Sequence, residues 1–142
     1  MLIDYFLSDV SETDGFFSEC TVYVFKLQAF LSRAVYFGQQ GRYTKAILNC
    51  NEAVSLKPNS VRAFVYRGSL KFKINAFRLA VNDFDQAILL NSKCRLAYYN
   101  RALCHQSMNN LQQVFNIFVL MYNVCPVTAL DSFNEIMKPF TC

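Results

Sequence analysis

The residues that could do chemistry in this chain of 142 residues are few, and their spacing argues against a catalytic site. The one histidine, His105, follows Cys104 directly, and neighbouring residues on a helix point about 100° apart, a poor geometry for a nucleophile and its base. Asp83 and Asp85 bracket Phe84 and diverge in the same way, so they do not form an acid–base pair. We therefore expect no enzyme and interpret His105 as a packing or partly exposed residue.

Sequence patterns that bind nucleotides, metals or cofactors are also missing. No GxGxxG, P-loop, HExxH or GxSxG pattern occurs. The six cysteines show no CxxC and no spacing typical of metal ligands, so we expect no metal and no cofactor. Cys50 and Cys94 fall within helical patterns, where free cysteine commonly serves as a small core residue. We predict reduced thiols in the cytoplasm, and a nuclear or ciliary location stays open.

The composition favours a helical domain with a sizeable core. Hydrophobic residues make up 54% of the chain and charged residues 17%, which excludes a disordered protein. Four Gly and three Pro are too few turn formers for many short strands. No apolar run approaches the length of a membrane span, and the first residues lack the basic start of a secretory signal, so we predict neither.

Charge is distributed unevenly along the chain. Residues 1–26 carry a net charge of −4, residues 27–94 one of +7, and residues 95–142 one of +1. The basic body could steer an acidic partner or bind the acidic first segment, and an ordinary solvated surface is the alternative interpretation.

A hexapeptide pattern recurs at a strict offset of 34 residues, as AFLSRA at 29–34, AFVYRG at 63–68 and AYYNRA at 97–102. The chain aligns on it without gaps as 27–60, 61–94 and 95–128. In each copy a large ring stands four residues before a small residue, and both lie on one helix face. A turn-like patch and a second helical pattern with small residues follow, with the patches at 40–42, 75–76 and 109–110. Each copy is therefore predicted to be a helical hairpin.

These three units resemble the tetratricopeptide repeat family in the order of their aromatic, small, alanine and terminal proline positions. The resemblance covers residues 27–128 and implies an all-α solenoid of tandem hairpins in a right-handed superhelical stack. We expect residues 129–142 to form a C-terminal capping helix and tail, since such arrays need a cap. Residues 1–26 form an acidic segment for which helix and strand both stay open. Because the 34-residue repeat is lost at both ends of the sequence, we also expect this chain to be a segment or variant of a longer array.

The second helix of the third copy departs from the pattern. Val114 and Met121 stand where the other copies have Ala, and only Asn116 and Asn123 are polar between Val114 and Cys125. A helix that is apolar all round must be covered. The capping helix would cover it, and self-association through this apolar C-terminal region is the other expectation.

The resemblance implies a non-catalytic scaffold or adaptor that binds a protein or peptide in a concave groove lined by the first helix of each unit. The implied groove residues are Gln28, Leu31, Val35, Arg62, Val65, Ser69, Lys73, Leu96, Tyr99, Leu103 and Gln106. This groove is apolar with two cations, which suits a peptide with apolar anchors and some negative charge, unless the terminal segments of the chain fill it. An RNA-binding helical repeat and a truncated product with little autonomous function are the alternatives. Nucleic acid is disfavoured because most aromatic rings are in core phase.

Some members of the family grip the C-terminal carboxylate of heat-shock chaperones with a Lys/Asn/Asn/Lys/Arg clamp. The matching positions here hold Leu31, Val35, Tyr66, Leu96 and Asn100. Four of these side chains lack the required charge or amide, so binding of chaperone tails is disfavoured.

The arginine of the hexapeptide recurs as Arg33, Arg67 and Arg101. Each follows the ring by one turn, at the edge of the buried stripe. We expect its stem to pack on the core while its guanidinium reaches water. A role in gripping an acidic partner is the alternative.

Overall fold

The computed structural model of the chain describes residues 19–124, which form six α-helices. In chain order these are α1 (Glu19–Gln39), α2 (Tyr43–Leu56), α3 (Val61–Lys73), α4 (Phe77–Leu90), α5 (Arg95–Ser107) and α6 (Leu111–Val124). No strand occurs among the described residues, and none of their helices is long and apolar enough to cross a membrane. The all-α fold of helical hairpins predicted from the 34-residue pattern is confirmed.

The chain divides into two compact units, residues 1–58 and residues 59–142. In the first unit α1 packs against α2, where Ala34, Ala46, Cys50 and Ala53 have no exposed surface. In the second unit α3 packs on α4, α4 on α5 and α5 on α6, while α3 also touches α5. Small buried side chains allow paired helices to approach closely, because the distance between helix axes depends on the side chains at the contact.

Each hairpin turns on a residue in the left-handed region of backbone conformation. These residues are Gly41 (φ 71°), Asn75 (φ 60°) and Asn109 (φ 57°), and they lie 34 positions apart. The residue after each of them donates its N–H to a carbonyl oxygen five residues earlier. These bonds are Arg42 to Phe37 at 2.9 Å, Ala76 to Lys71 at 2.9 Å and Asn110 to His105 at 2.8 Å. This bond satisfies a carbonyl left open at the helix end, and Gly and Asn are the residues that tolerate the conformation best. The three turns therefore lie within the patches predicted from the sequence.

Burial follows the same period through all three copies. The positions that the repeat reserves for small residues are buried in every copy: Ala34, Gly68 and Ala102, then Ala46, Ala80 and Val114, then Ala53, Ala87 and Met121. The large ring that precedes the first of these positions is buried in Phe64 and Tyr98 and half-buried in Phe30. Val114 and Met121 are larger than alanine and still lie in the core, so the third copy keeps the buried phase of the others.

Gly68 on α3 lies against the ring of Phe84 on α4. A Cβ atom at this position would lie 2.7 Å from Cε1 and 2.9 Å from Cζ of the Phe84 ring, which is fully buried. Atoms this close would clash, so a side chain at residue 68 and the present position of the ring exclude each other. The glycine thus makes room for the largest fully buried side chain among the described residues.

Two helix starts differ from the sequence expectation. Helix α1 begins at Glu19, so it crosses the predicted boundary between residues 26 and 27. No proline or glycine lies between Glu19 and the first repeat, so nothing stops the helix from extending backwards. Cys94, expected within a helix, instead precedes α5 and provides no side-chain cap. Ser60, at the same phase before α3, accepts a hydrogen bond from the N–H of Ala63 at 3.3 Å.

The predicted capping helix at 129–142 lies outside the described residues, as do residues 1–18.

Candidate functional site

Four of the predicted groove residues form one stripe along α3. They stand at i, i+3, i+7 and i+11, which is one face of a helix. Arg62 and Lys73, at the two ends of the stripe, are exposed. Ser69 is half-buried, and Val65 is buried with 9% of its surface exposed. The stripe therefore presents two exposed cations separated by two residues with less exposed surface.

The matching stripe on α5 is mostly apolar. Leu96 is 57% exposed, whereas Tyr99 and Leu103 are half-buried and pack against the core cluster around Tyr98. Gln106 ends the stripe and is half-buried. We call these four residues, together with the four on α3, the α3–α5 face.

A hydrogen bond joins α3 to α5 at one member of the predicted set. The side-chain amide of Asn100 donates to Oγ of Ser69 at 3.5 Å, and Ser69 donates to the carbonyl oxygen of Val65 at 2.9 Å. The structure thus brings Ser69 next to α5 within the second unit, although Asn100 itself is not a member of the predicted set.

The three remaining predicted residues lie on α1, in the first unit. Gln28 is exposed, Val35 is half-buried, and Leu31 is buried with 5% exposure. Leu31 consequently has little surface to offer a ligand in this conformation. The assignment of the whole set as ligand contacts stays a prediction.

Asp83 holds two of the cations of α3 inside the second unit. The Arg67 guanidinium donates from Nε to Oδ2 at 3.0 Å and from Nη2 to Oδ1 at 2.7 Å, while Lys71 Nζ lies 2.7 Å from Oδ2. Only 4% of the Asp83 side chain is exposed, compared with 16% for Arg67 and 17% for Lys71. A bidentate arginine–carboxylate pair of this kind is among the strongest hydrogen-bonded contacts in proteins.

Arg101 binds a carboxylate on the preceding hairpin. Its Nη1 donates to Oδ1 of Asp85 on α4 at 2.5 Å. The acid at the phase of Asp83 is missing in the third copy, where Ile117 takes its place. Arg101 therefore pairs backwards along the chain and helps to hold α5 on α4.

These pairs correct the expectation that the guanidinium groups of Arg67 and Arg101 reach water. Each guanidinium lies over the ring one turn before it, with the guanidinium carbon of Arg67 5.3 Å from the Phe64 ring centre and that of Arg101 5.4 Å from the Tyr98 ring centre. Both head groups are also bound by aspartates. From the sequence, Asp83 and Asp85 are recognised only as a poor acid–base pair, and the signal for the ion pairs is the spacing of sixteen residues between each aspartate and its arginine.

The residues tested for chemistry do not assemble a reactive centre in the described part of the chain. Burial raises the pKa of the Cys104 thiol to about 12, so the nucleophilic thiolate is disfavoured. Burial and the nearby Arg101 lower the pKa of His105, and Asp85 partly opposes them. Within residues 19–124 no group of three His, Cys, Asp or Glu side chains could hold a metal ion. Cys50, Cys94 and Cys104 are free thiols.

The chain is similar to known proteins in one stretch of its sequence and in its fold. Residues 27–60 match the family model of the tetratricopeptide repeat. The structure is similar to the tetratricopeptide repeat domain of OM64 from Arabidopsis, at 18% identity and a TM-score of 0.73, over 82% of this chain and 98% of that one. It is also similar to the first such domain of Spaghetti (RPAP3), solved with the HSP90 peptide SRMEEVD, at 19% identity and a TM-score of 0.71, over 82% and 94% of the two chains.

A third similar structure is a secretion chaperone. SycD, the type III secretion translocator chaperone of Yersinia enterocolitica, matches at 16% identity with a TM-score of 0.71, over 82% of this chain and 96% of SycD. It has also been solved with a peptide of the translocator YopD. At these identities the likeness establishes the fold, whereas ligands are properties of those proteins.

Proposed function

Because residues 27–60 are a tetratricopeptide repeat and the chain has the fold of such domains, we propose that this protein is a non-catalytic interaction module, a scaffold or adaptor. Its ligand is an extended peptide or a helix of a partner protein, bound on the α3–α5 face. Two similar structures were solved with a bound peptide, which supports peptide binding in general. The kind of peptide follows from the residues of this chain.

The observation that carries the proposal is the make-up of the α3–α5 face. An exposed leucine, Leu96, lies on α5 beside the half-buried Tyr99 and Leu103, and neither α3 nor α5 contains an acidic residue. Apolar anchors bordered by unopposed cations are typical of surfaces that bind peptides with apolar side chains and negative charge. A peptide seated there would bury apolar surface that otherwise faces water.

Chaperone C-terminal tails are not the ligand that we propose. A clamp for a terminal carboxylate needs charged or amide side chains, yet Tyr66 and Leu96 stand at two of its positions. Asn100, the one amide at a clamp position, already donates to Ser69. We expect the peptide SRMEEVD to bind the full chain at least about tenfold more weakly than the best ligand of this face.

The proposal also includes a reducing, intracellular location. The free thiols of Cys50, Cys94 and Cys104 support it, since disulfides are common in secreted proteins of this size.

The test is selection from a displayed peptide library on the full chain, followed by affinity measurement for the selected sequences. Leu96→Ser should weaken them strongly, because it removes the exposed apolar side chain of the stripe without adding a charge. Leu89→Ser is the matched control, since Leu89 on α4 is even more exposed, at 78%, but lies off the face. Equal losses from the two variants, or no loss from Leu96→Ser, would exclude this face as the binding site.

A further inference from the structure

The second unit binds three of the six cations of α3 and α5 to its own aspartates. Residues 59–124 contain eight Lys and Arg against two Asp, a net charge of +6. Arg67 and Lys71 are bound to Asp83, and Arg101 is bound to Asp85. On the α3–α5 face this leaves Arg62 and Lys73, which are exposed and form no ion pair with any described residue.

These two cations have a defined separation. Eleven residues of helix make about three turns, so Arg62 and Lys73 point to the same side of α3 about 16 Å apart along its axis. Ser69 lies between them at the point where Asn100 joins α3 to α5. Helix α5 therefore meets α3 within the gap between the two positive charges.

We propose that the ligand of the α3–α5 face carries two carboxylates about 16 Å apart, one for Arg62 and one for Lys73, with apolar side chains between them. An extended peptide rises about 3.1 to 3.3 Å per residue, and in both the β and the polyproline II conformation side chains six positions apart point to the same face, so its two acidic residues would stand about six positions apart. The intervening apolar side chains would meet Leu96 and Tyr99. This inference rests on the proposed function and specifies the partner class as an acidic peptide with a spacing rule.

A peptide fits these charges better than a nucleic acid does. A phosphate backbone offers closely spaced charges and gains most from a continuous run of cations. Here the cations in the middle of α3 are bound to Asp83, and the rings of Phe64 and Tyr98 are buried, so they are not available for stacking on bases.

The test compares three synthetic peptides of equal length and composition, binding to the full chain by fluorescence anisotropy. Each carries two Asp residues and the same Leu and Phe residues, with the Asp residues two, six or ten positions apart. We expect the six-residue spacing to bind tightest. Arg62→Glu and Lys73→Glu should each weaken that peptide about tenfold. Arg78→Glu is the matched control, because Arg78 is an exposed cation on α4.

A charge swap makes the test specific. Replacing one Asp of the peptide by Lys should weaken binding to the unmodified chain and restore binding to Arg62→Glu or to Lys73→Glu. Equal affinity of all three spacings, or an equal loss from Arg78→Glu, would overturn the spacing rule. In that case weaker binding to Leu96→Ser would still support the proposed function, whereas unchanged binding to Leu96→Ser as well would overturn both. If a poly-uridine RNA bound more tightly than every peptide, the ligand of this face would be a nucleic acid and not a peptide.

Discussion

At Gly68 the absence of a side chain decides how closely α3 approaches α4. Phe84 occupies the space that a Cβ atom would need. At the same phases the first copy combines Ala34 with Cys50, and the third combines Ala102 with Phe118, whose ring is only half-buried. A deeply buried ring therefore goes with the smallest partner, as expected in a core packed to high density.

We predict that Gly68→Ala destabilises the protein although alanine is the better helix former. Helix propensity favours Ala by about 1 kcal/mol, but overpacking a filled core costs about 1–3 kcal/mol. Urea denaturation would measure the free energy of unfolding of Gly68→Ala, Phe84→Leu and the double variant. Because leucine vacates part of the ring volume, the alanine should cost less in the Phe84→Leu background. A more stable Gly68→Ala variant would contradict the packing argument.

His105 makes stability depend on pH. Its pKa is lower in the folded chain than in the unfolded one, mainly because of burial and then because of Arg101. The unfolded state therefore takes up a proton first as the pH falls. The resulting stability is present above the unfolded pKa of about 6.5 and is lost as the pH falls through the lower folded pKa.

The matched variant is His105→Phe, because phenylalanine occupies this phase in the first copy as Phe37 and cannot titrate. Between about pH 7 and pH 5 the free energy of unfolding should fall more steeply in the unmodified chain than in the variant. Parallel pH profiles of the two proteins would show that His105 does not contribute.

At the scale of single helices, the C-terminal turns follow one shared pattern, whereas the N-terminal caps differ between copies. The C-terminal turns at residues 41, 75 and 109 use Gly or Asn and share one hydrogen-bond pattern. The N-termini are less uniform, because Ser60 caps α3 whereas Cys94 leaves α5 without a side-chain cap. The backbone angles of the two residues are similar, at φ −84°, ψ 96° for Ser60 and φ −73°, ψ 85° for Cys94.

We therefore predict that Cys94→Ser stabilises the protein by up to about 1 kcal/mol, because the serine oxygen can accept a hydrogen bond from the first turn of α5. Ser60→Ala should cost about the same amount by removing the existing cap. The midpoint of urea denaturation measures both changes, provided that its slope stays constant. No gain from Cys94→Ser, with a clear loss from Ser60→Ala, would show that residue 94 cannot reach the cap geometry.

At the scale of the whole molecule, the main feature is the exposed side of α6, which is apolar. This helix carries no charged residue. Val114, Ile117 and Met121 are buried in the core of the third copy. Five of its other apolar side chains are about half exposed: Leu111, Phe115, Val119, Leu120 and Tyr122. An apolar surface of this kind favours contact with another molecule or with the remaining part of the chain.

We predict that the full chain self-associates through this surface as its concentration rises. Phe115→Glu should shift the equilibrium towards monomer, since it places a charge in the apolar patch. Leu89→Glu on α4 is the control, because it alters a single exposed leucine elsewhere. Sedimentation velocity over a range of concentrations measures the effect. A chain that stays monomeric at high concentration would mean that this surface is covered within the molecule.

The sequence by itself determined the period, the helices, the turns and the buried phases. These features follow from local rules: a helix repeats every 3.6 residues, left-handed turns need Gly or Asn, and small residues recur where helices touch. The choice of Ala34 and Ala102 as core positions, and of the patches 40–42, 75–76 and 109–110 for the turns, needed only the 34-residue register.

Only the tertiary structure decided which charges are available. The sequence places Arg67 and Asp83 sixteen residues apart, yet whether their side chains meet depends on the distance and rotation between two helices. The same geometry puts the Phe84 ring against Gly68 and leaves Arg62 and Lys73 without a described ion-pair partner. Contacts between helices depend on packing that no local pattern records, so the composition of the α3–α5 face was visible in the sequence but its charge balance was not.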